Sequence, residues 1–137
     1  MAIEVTRAVL DSLLAEAAKA GRMECCGLLL GKVEGGIERI DAVRPCANVA
    51  DDPATRFEID PAALLAAHKA ARAGGSQILG YYHSHPTGHP VPSATDCEHA
   101  SGDGRVWAIV ASGEATFWRD GPEGLQAADW TEAGGDG

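Results

Sequence analysis

The hydrophobic pattern changes from helical to extended early in the chain. Between Thr6 and Gly21, apolar side chains recur every three or four positions, which predicts a helix with one buried face. The threonine is a suitable N-cap and the glycine a suitable helix end. A continuous apolar run at 25–31 then predicts a buried strand, and the turn signal at 34–36 predicts a returning strand over 37–43.

The middle of the chain repeats this alternation after a polar loop. Residues 56–59 have a short extended pattern that predicts a strand. Asp60 and Pro61 are typical of a helix N-cap and first helical position, and the glycine pair at 74–75 predicts the end of that helix. The apolar segment 77–82 predicts a central strand that leads directly into a histidine-containing loop.

The last third of the chain contains one short helix and a pair of strands. Ser93 is a suitable N-cap for a third helix, which Gly102 or Gly104 is expected to end. Residues 105–110 predict another buried strand, paired with 116–119 across a turn. Because helices and strands alternate throughout, the pattern predicts a mixed α/β fold.

Composition narrows the class of protein. A chain of 137 residues, 45 % of them hydrophobic, suits one domain, which we place at 1–130 with a flexible glycine-rich tail at 131–137. The net charge of −9 argues against a nucleic-acid partner. No apolar run is long enough to span a membrane and the N-terminus does not resemble a signal peptide, so we expect a cytoplasmic protein. The cysteines form no CxxC pair, which indicates reduced thiols.

Two histidines follow directly on the predicted central strand. Side chains alternate in an extended chain, so His83 and His85 point to the same side. Asp96, one turn into the third helix, can add a carboxylate oxygen if the intervening loop folds back. Two nitrogens and one oxygen with an open fourth position are typical of a catalytic zinc site rather than a closed structural one.

Each motif also has a purely structural interpretation. Paired histidines are common in solvated loops, and Ser93 with Asp96 three positions later is a good capping box. Capping is compatible with metal binding, because a capped helix would aim the carboxylate. The joint occurrence of both motifs after a central strand favours a functional site. Nearby, His89 is interpreted as a solvated loop histidine, and Cys97 with His99 lacks the further ligands that a second metal site needs.

The spacing of these polar residues matches a known motif. A histidine, one residue, a second histidine, seven residues, a serine, two residues and an aspartate characterise the JAMM, or MPN-plus (JAB domain), zinc metalloproteases. In this chain the motif positions are His83, His85, Ser93 and Asp96. The chain resembles the short, free-standing bacterial members of that family over positions 4–118, with further similar segments at 23–31, 57–61 and 80–86.

The resemblance implies a fold and a set of roles. The fold would be a single-domain α-β-α sandwich of the cytidine-deaminase-like type with a mixed central sheet. One zinc ion would be held by His83, His85 and Asp96. Glu24, in the segment that carries the family's upstream glutamate, would be the general acid and base that holds the attacking metal-bound water. Ser93 would stabilise the oxyanion of the tetrahedral intermediate.

The resemblance also implies an activity. It is hydrolysis of a peptide or isopeptide bond after the C-terminal Gly-Gly of a ubiquitin-like, β-grasp protein, and for so short a chain we expect a sulfur carrier as the substrate. A deconjugating isopeptidase of a bacterial ubiquitin-like defence system is one alternative. A non-catalytic MPN scaffold module is another, but such scaffolds lack the metal ligands, whereas here the set is complete.

Overall fold

The computed structural model describes residues 1–133 as one curled sheet with helices on both faces. The helices are α1 (Arg7–Ala20), α2 (Pro61–Arg72) and α3 (Ala94–His99). None of these described helices is long and apolar enough to cross a membrane. The strands are β1 (Ala2–Val5), β2 (Cys26–Glu34), β3 (Ile37–Cys46), β4 (Gln77–Ser84), β5 (Val106–Ala111), β6 (Glu114–Gly121), β7 (Gly124–Ala127) and β8 (Thr131–Glu132).

The sheet is mixed. Its strand order is β7-β6-β5-β4-β2-β3-β1-β8. β4 runs parallel to β5, and β1 runs parallel to both β3 and β8, while the other neighbours are antiparallel. The sheet curls around α1 until Arg119 on β6 reaches the carboxylate of Glu38 on β3.

Each face of the sheet is covered by one of the two longer helices. α1 buries Val9, Leu10 and Leu13 in the larger core, and α2 buries Ala67 against Leu28 of β2. Burial of a side chain the size of leucine stabilises the fold by about 1.5–3 kcal/mol. The helical periodicity therefore reflects real packing, and the α-β-α arrangement expected from the sequence is confirmed.

Local capping determines where the two longer helices begin. The Thr6 hydroxyl accepts the N–H of Val9, and the Asp60 carboxylate accepts the N–H of Ala62. Gly21 ends α1 with a φ of 61°, a left-handed conformation that favours glycine. These caps are the ones that the sequence predicts.

A glycine in β4 allows the histidine-bearing strand to lie very close to β5. A Cβ atom at Gly80 would be 1.7 Å from the carbonyl oxygen of Val106, so a larger residue is excluded. Further along β4, His83 is aligned with Cys26 on β2 and with Ile109 on β5. The end of β4 is thus held between two strands before the chain leaves the sheet.

The segment 56–59 differs from its prediction, because it is not a strand. One isolated bridge joins Asn48 to Ile59. The side chain of Asn48 takes the place of a neighbouring strand: it accepts the N–H of Glu58 and donates to the carbonyl of Arg56, each at 3.0 Å. The sequence pattern of 56–59 therefore corresponds to an extended backbone that does not form a regular ladder with another strand.

The third helix is shorter than predicted. It ends at His99 instead of continuing to Gly102 or Gly104. The chain turns at this point because the buried carboxylate of Asp120 on β6 accepts the N–H groups of Ser101 and Gly102, each at 2.9 Å. The contact with Asp120, rather than a glycine, thus determines where the chain turns after the helix.

The C-terminal segment also differs from the prediction. Thr131–Glu132 pair with β1, and Ala133 is buried. The prediction of a flexible tail from position 131 is therefore wrong for 131–133, since backbone pairing with a distant strand orders them. The rest of that predicted tail, 134–137, lies outside the described residues.

Candidate metal centre

The two histidines lie where β4 ends. His83 belongs to the strand, and His85 follows it, with its N–H still donating to the carbonyl of Val110 at 2.9 Å. That backbone bond extends the alternation of side chains beyond the strand. The two Nε2 atoms consequently lie 3.1 Å apart.

Asp96 reaches the histidines from the first turn of α3. Its N–H donates to Ser93 Oγ at 3.0 Å, and its Oδ2 accepts the N–H of Ser93 at 2.9 Å, so the predicted capping box is present. The same Oδ2 lies 3.0 Å from Nε2 of His83 and from Nε2 of His85. The cap therefore aims the carboxylate at both imidazoles.

The three side-chain atoms form a triangle with edges of 3.0, 3.0 and 3.1 Å. Ligand atoms bonded to zinc at about 2.0 Å in tetrahedral geometry are separated by about 3.3 Å, so the triangle matches one face of such a tetrahedron. Imidazole nitrogen and carboxylate oxygen are also atoms that zinc binds well. This triangle is the one such cluster among the described residues, and Cys97 and His99 are not part of another.

A backbone carbonyl in the following loop sets the tautomer of His85. Nδ1 of His85 lies 2.8 Å from the carbonyl oxygen of His89, which can only accept, so Nδ1 carries a proton. In the neutral ring, Nε2 then has the lone pair that a metal needs. Such a bond to the far nitrogen is usual for metal-binding histidines. His89 thus contributes its carbonyl, which sequence reasoning missed, while its side chain is exposed.

Aromatic packing and charge set the protonation states of the three groups. Phe57 stacks on the buried ring of His83 at 4.4 Å, and Trp107 meets it edge-on at 5.7 Å. Burial lowers the pKa of His83, which favours the neutral imidazole. Burial raises the pKa of Asp96, but its hydrogen bonds to the histidines outweigh this and hold the pKa well below its usual range. The bond to Asp96 raises the pKa of His85.

Glu24 lies beside the triangle, and its carboxyl group is buried. Its backbone is fixed by an N–H bond to the carbonyl of Pro53 at 2.7 Å and by a bond from the Asn48 side chain to its own carbonyl at 3.0 Å. Oε1 has no hydrogen-bond partner in the structure. Burial raises the pKa of Glu24 to about 7, against the lowering effect of charge on His85. An exposed acid after a helix, the structural alternative for this position, is therefore excluded.

A groove of about 430 Å³ lies next to the aromatic residues that pack on His83. Phe57, Tyr81 and Trp107 line it together with Leu64 of α2. Phe57 and Trp107 also contact the ring of His83, but none of the candidate ligands lines the groove. Sequence reasoning did not assign these aromatic residues to the site, since an aromatic residue that packs on a candidate ligand has the same local pattern as any core residue.

Comparisons with known proteins place the chain in a family. The sequence profile of prokaryotic homologs of the JAB domain matches residues 6–121. The chain therefore belongs to the prokaryotic JAB domain family, and the resemblance inferred from the motif spacing is confirmed.

Individual proteins agree with this assignment. The chain is 35 % identical over 126 residues to a desampylase of Haloferax volcanii, covering 88 % of this chain and 82 % of that protein. It is also 35 % identical over 100 residues to a probable TtuB-protein conjugate cleaving protease of Thermus thermophilus, covering 73 % of this chain and 64 % of that protein. The solution structure of a protein from Desulfitobacterium hafniense is similar with a TM-score of 0.83 and 29 % identity, covering 96 % of this chain and 92 % of that one.

Proposed function

We propose that this chain is a zinc-dependent peptidase that hydrolyses the bond after the C-terminal Gly-Gly of a ubiquitin-like protein. The observation that carries the proposal is the triangle of ligand atoms beside the buried, unpartnered carboxyl of Glu24. A scaffold gains nothing from such a carboxyl, because burying it without a hydrogen bond costs free energy of folding. An enzyme that moves protons needs a group of this kind.

The roles follow from the positions of the side chains. His83, His85 and Asp96 would hold the zinc ion, which when bound acts as a Lewis acid and lowers the pKa of water towards ~7. Glu24 takes a proton from the attacking water and returns it to the leaving amine. In the metal-free protein, burial raises the pKa of Glu24 to about 7, so this carboxyl group accepts a proton more readily than an exposed one.

Ser93 is proposed to stabilise the oxyanion. Its oxygen accepts the N–H of Asp96, which leaves the hydroxyl hydrogen free for another acceptor. The capping box also holds Ser93 next to a proposed zinc ligand, where the reacting carbonyl would lie. A donor aimed at developing charge typically contributes a few kcal/mol to the barrier.

The names of the relatives support a protein conjugate as substrate. One relative is named as a protease that cleaves TtuB-protein conjugates, and another as a desampylase. We propose a small ubiquitin-like sulfur carrier, freed from an adduct at its Gly-Gly end. A deconjugating isopeptidase of a ubiquitin-like defence system would use the same chemistry, and the genes next to this one distinguish the two.

Zinc content tests the metal requirement. We expect one zinc ion per chain, because the described residues offer one triangle of ligands. A chelator should abolish cleavage of a Gly-Gly-linked conjugate, and added zinc should restore it. Elemental analysis of the purified, active protein measures the ratio, and active protein without a transition metal would contradict the mechanism.

The two roles of Ser93 can be separated by two substitutions. Ser93→Ala removes cap and donor, so it should cost ~1 kcal/mol of stability and lower the rate constant by ~10²- to 10³-fold. Ser93→Asn keeps a good cap but places its donor elsewhere, so it should keep the melting temperature and the zinc and still be slow. Melting curves, zinc content and single-turnover rates measure these effects. Recovery of most activity in Ser93→Asn would show that Ser93 only positions Asp96.

A further inference from the structure

The loop between β4 and α3 joins two of the candidate ligands, His85 and Asp96. It contains Pro86, Pro90 and Pro92, which have no N–H to donate, so its backbone offers few hydrogen bonds of its own. The tip of the loop is exposed. Its shape therefore depends on contacts with the rest of the protein.

The carbonyl of His89 in this loop orients the ring of His85. It lies 2.8 Å from Nδ1 of that ring, and it also accepts the N–H of Val91 at 2.8 Å. The position of this carbonyl group determines the direction in which Nε2 of His85 points. Any displacement of the loop is consequently a displacement of a candidate metal ligand.

Thr116 on β6 holds the next carbonyl of the loop. Its Oγ1 lies 2.5 Å from the carbonyl oxygen of Pro90, whereas the carbonyl oxygen of Ile109, the other acceptor near it, is 3.4 Å away. A hydroxyl has one hydrogen, and the shorter contact takes it. Thr116 therefore bonds to the loop rather than to its own sheet.

Trp118 fixes the direction of that hydroxyl group. Its Nε1–H donates to Thr116 Oγ1 at 2.9 Å. Because this donor occupies one side of the oxygen, the hydroxyl hydrogen is turned towards Pro90. Two hydrogen bonds in series also polarise and strengthen each other.

The sheet connects Thr116 to the other histidine. His83, Ile109 and Thr116 are aligned on the adjacent strands β4, β5 and β6, so they lie on one face. The sheet thus links Thr116 to His83, and the loop links Thr116 to His85. Thr116 therefore helps to determine the position of His83 relative to His85, because it contacts the loop that carries one and lies on the sheet that carries the other.

We propose that Thr116 is a positioning residue for the metal centre, acting through the loop carbonyls of Pro90 and His89 on the ring of His85. The proposal rests on the proposed zinc site but not on the identity of the substrate. Thr116 contacts neither the triangle nor the groove. A purely structural threonine would affect stability alone, whereas a positioning residue also affects zinc affinity and the hydrogen bond of His85.

The test compares substitutions that keep or remove the hydroxyl group. Thr116→Val keeps the shape and removes the donor, and it should weaken zinc binding by about 10-fold, the lower end of the range for outer partners of metal ligands. Thr116→Ser should bind zinc like the wild type. Trp118→Phe removes the indole donor but leaves the hydroxyl group of Thr116 in place, so it should show a smaller loss. Thr131→Val, the same change on an exposed position of β8, is the matched control.

Zinc affinity is measured by competition with a coloured chelator, and the Nδ1–H of His85 is followed by NMR in the zinc-loaded protein. We expect faster exchange of that proton in Thr116→Val but not in Thr116→Ser or Thr131→Val. Equal zinc affinity in Thr116→Val and Thr131→Val, or equal losses in Thr116→Val and Thr116→Ser, would overturn the proposal. A wild-type chain that binds zinc but cleaves no conjugate would overturn the proposed function alone, and one that binds no zinc would overturn both.

Discussion

Replacing Glu24 by glutamine is expected to lower the rate constant by about 10²- to 10⁴-fold while zinc stays bound. Glutamine has nearly the same shape but cannot take a proton from water. Glu24 is not among the atoms of the ligand triangle, so the metal should be retained. Turnover and zinc content are measured on the same sample.

The same substitution should stabilise the metal-free protein at high pH. In the folded chain the pKa of Glu24 is about 7, above its ordinary value of 4.5. Between pH 4.5 and pH 7, the folded state therefore keeps a proton that the unfolded state has released. The contribution of Glu24 to stability is therefore complete below pH 4.5 and is lost as the pH rises to 7. Above neutral pH, Glu24→Gln removes the free-energy penalty of ionising the buried carboxyl group, which is on the order of 3 kcal/mol or less. Denaturant unfolding of both metal-free proteins across this range measures it.

Glu34→Gln is the matched control for Glu24→Gln. Glu34 is an exposed acid at the far end of β2, the strand that follows Glu24, so its replacement should change neither turnover nor the pH dependence of stability. Near-normal turnover in Glu24→Gln would mean that another group is the general base. Parallel pH curves for wild type and Glu24→Gln would mean that the carboxyl is ionised in the fold at neutral pH.

Replacing His85 by alanine is expected to abolish both zinc binding and turnover. The triangle loses one of its two nitrogens, and Asp96 and His83 alone cannot form a face of a tetrahedral site. The loss of zinc affinity should exceed the ~10²-fold upper limit typical of residues that only support a ligand. His85 is partly exposed, unlike His83, so its replacement leaves no large cavity in the core.

His89→Ala provides the comparison for His85→Ala. It removes an exposed imidazole from the same loop but keeps the backbone carbonyl that orients His85. Zinc affinity and turnover should therefore be close to wild type. Retention of zinc at wild-type affinity by His85→Ala would show that the metal is held elsewhere.

The parts of the structure that sequence analysis predicted are those determined by neighbouring residues. The caps at Thr6 and Asp60 involve positions three and two residues ahead, respectively, and the shared side of His83 and His85 follows from strand alternation. The capping box that aims Asp96 is likewise local. Such features are readable because both partners lie within a few positions of each other.

The parts that sequence analysis missed depend on contacts between distant segments. The side chain of Asn48 bonds to the backbone of 56–59 in place of a partner strand. The carboxylate of Asp120 on β6 bonds to the backbone that follows α3 and turns the chain there. The burial of Glu24 and the aromatic stacking of Phe57 on His83 also join remote positions. No local pattern encodes these contacts, which is why the motif predicted the triangle of candidate ligands but not the groove or the pKa of the carboxyl group.

The most direct test of the central claim is intact mass measurement of a ubiquitin-like sulfur carrier extended beyond its Gly-Gly and incubated with the zinc-loaded protein. We predict the loss of the extension at a single bond, leaving a Gly-Gly end. In the time that the wild type needs to finish cleavage, we predict no detectable mass change with Glu24→Gln or after chelation. Cleavage by Glu24→Gln at a rate close to that of the wild type, or an uncut carrier in the presence of the zinc-loaded wild type, would contradict the proposed function.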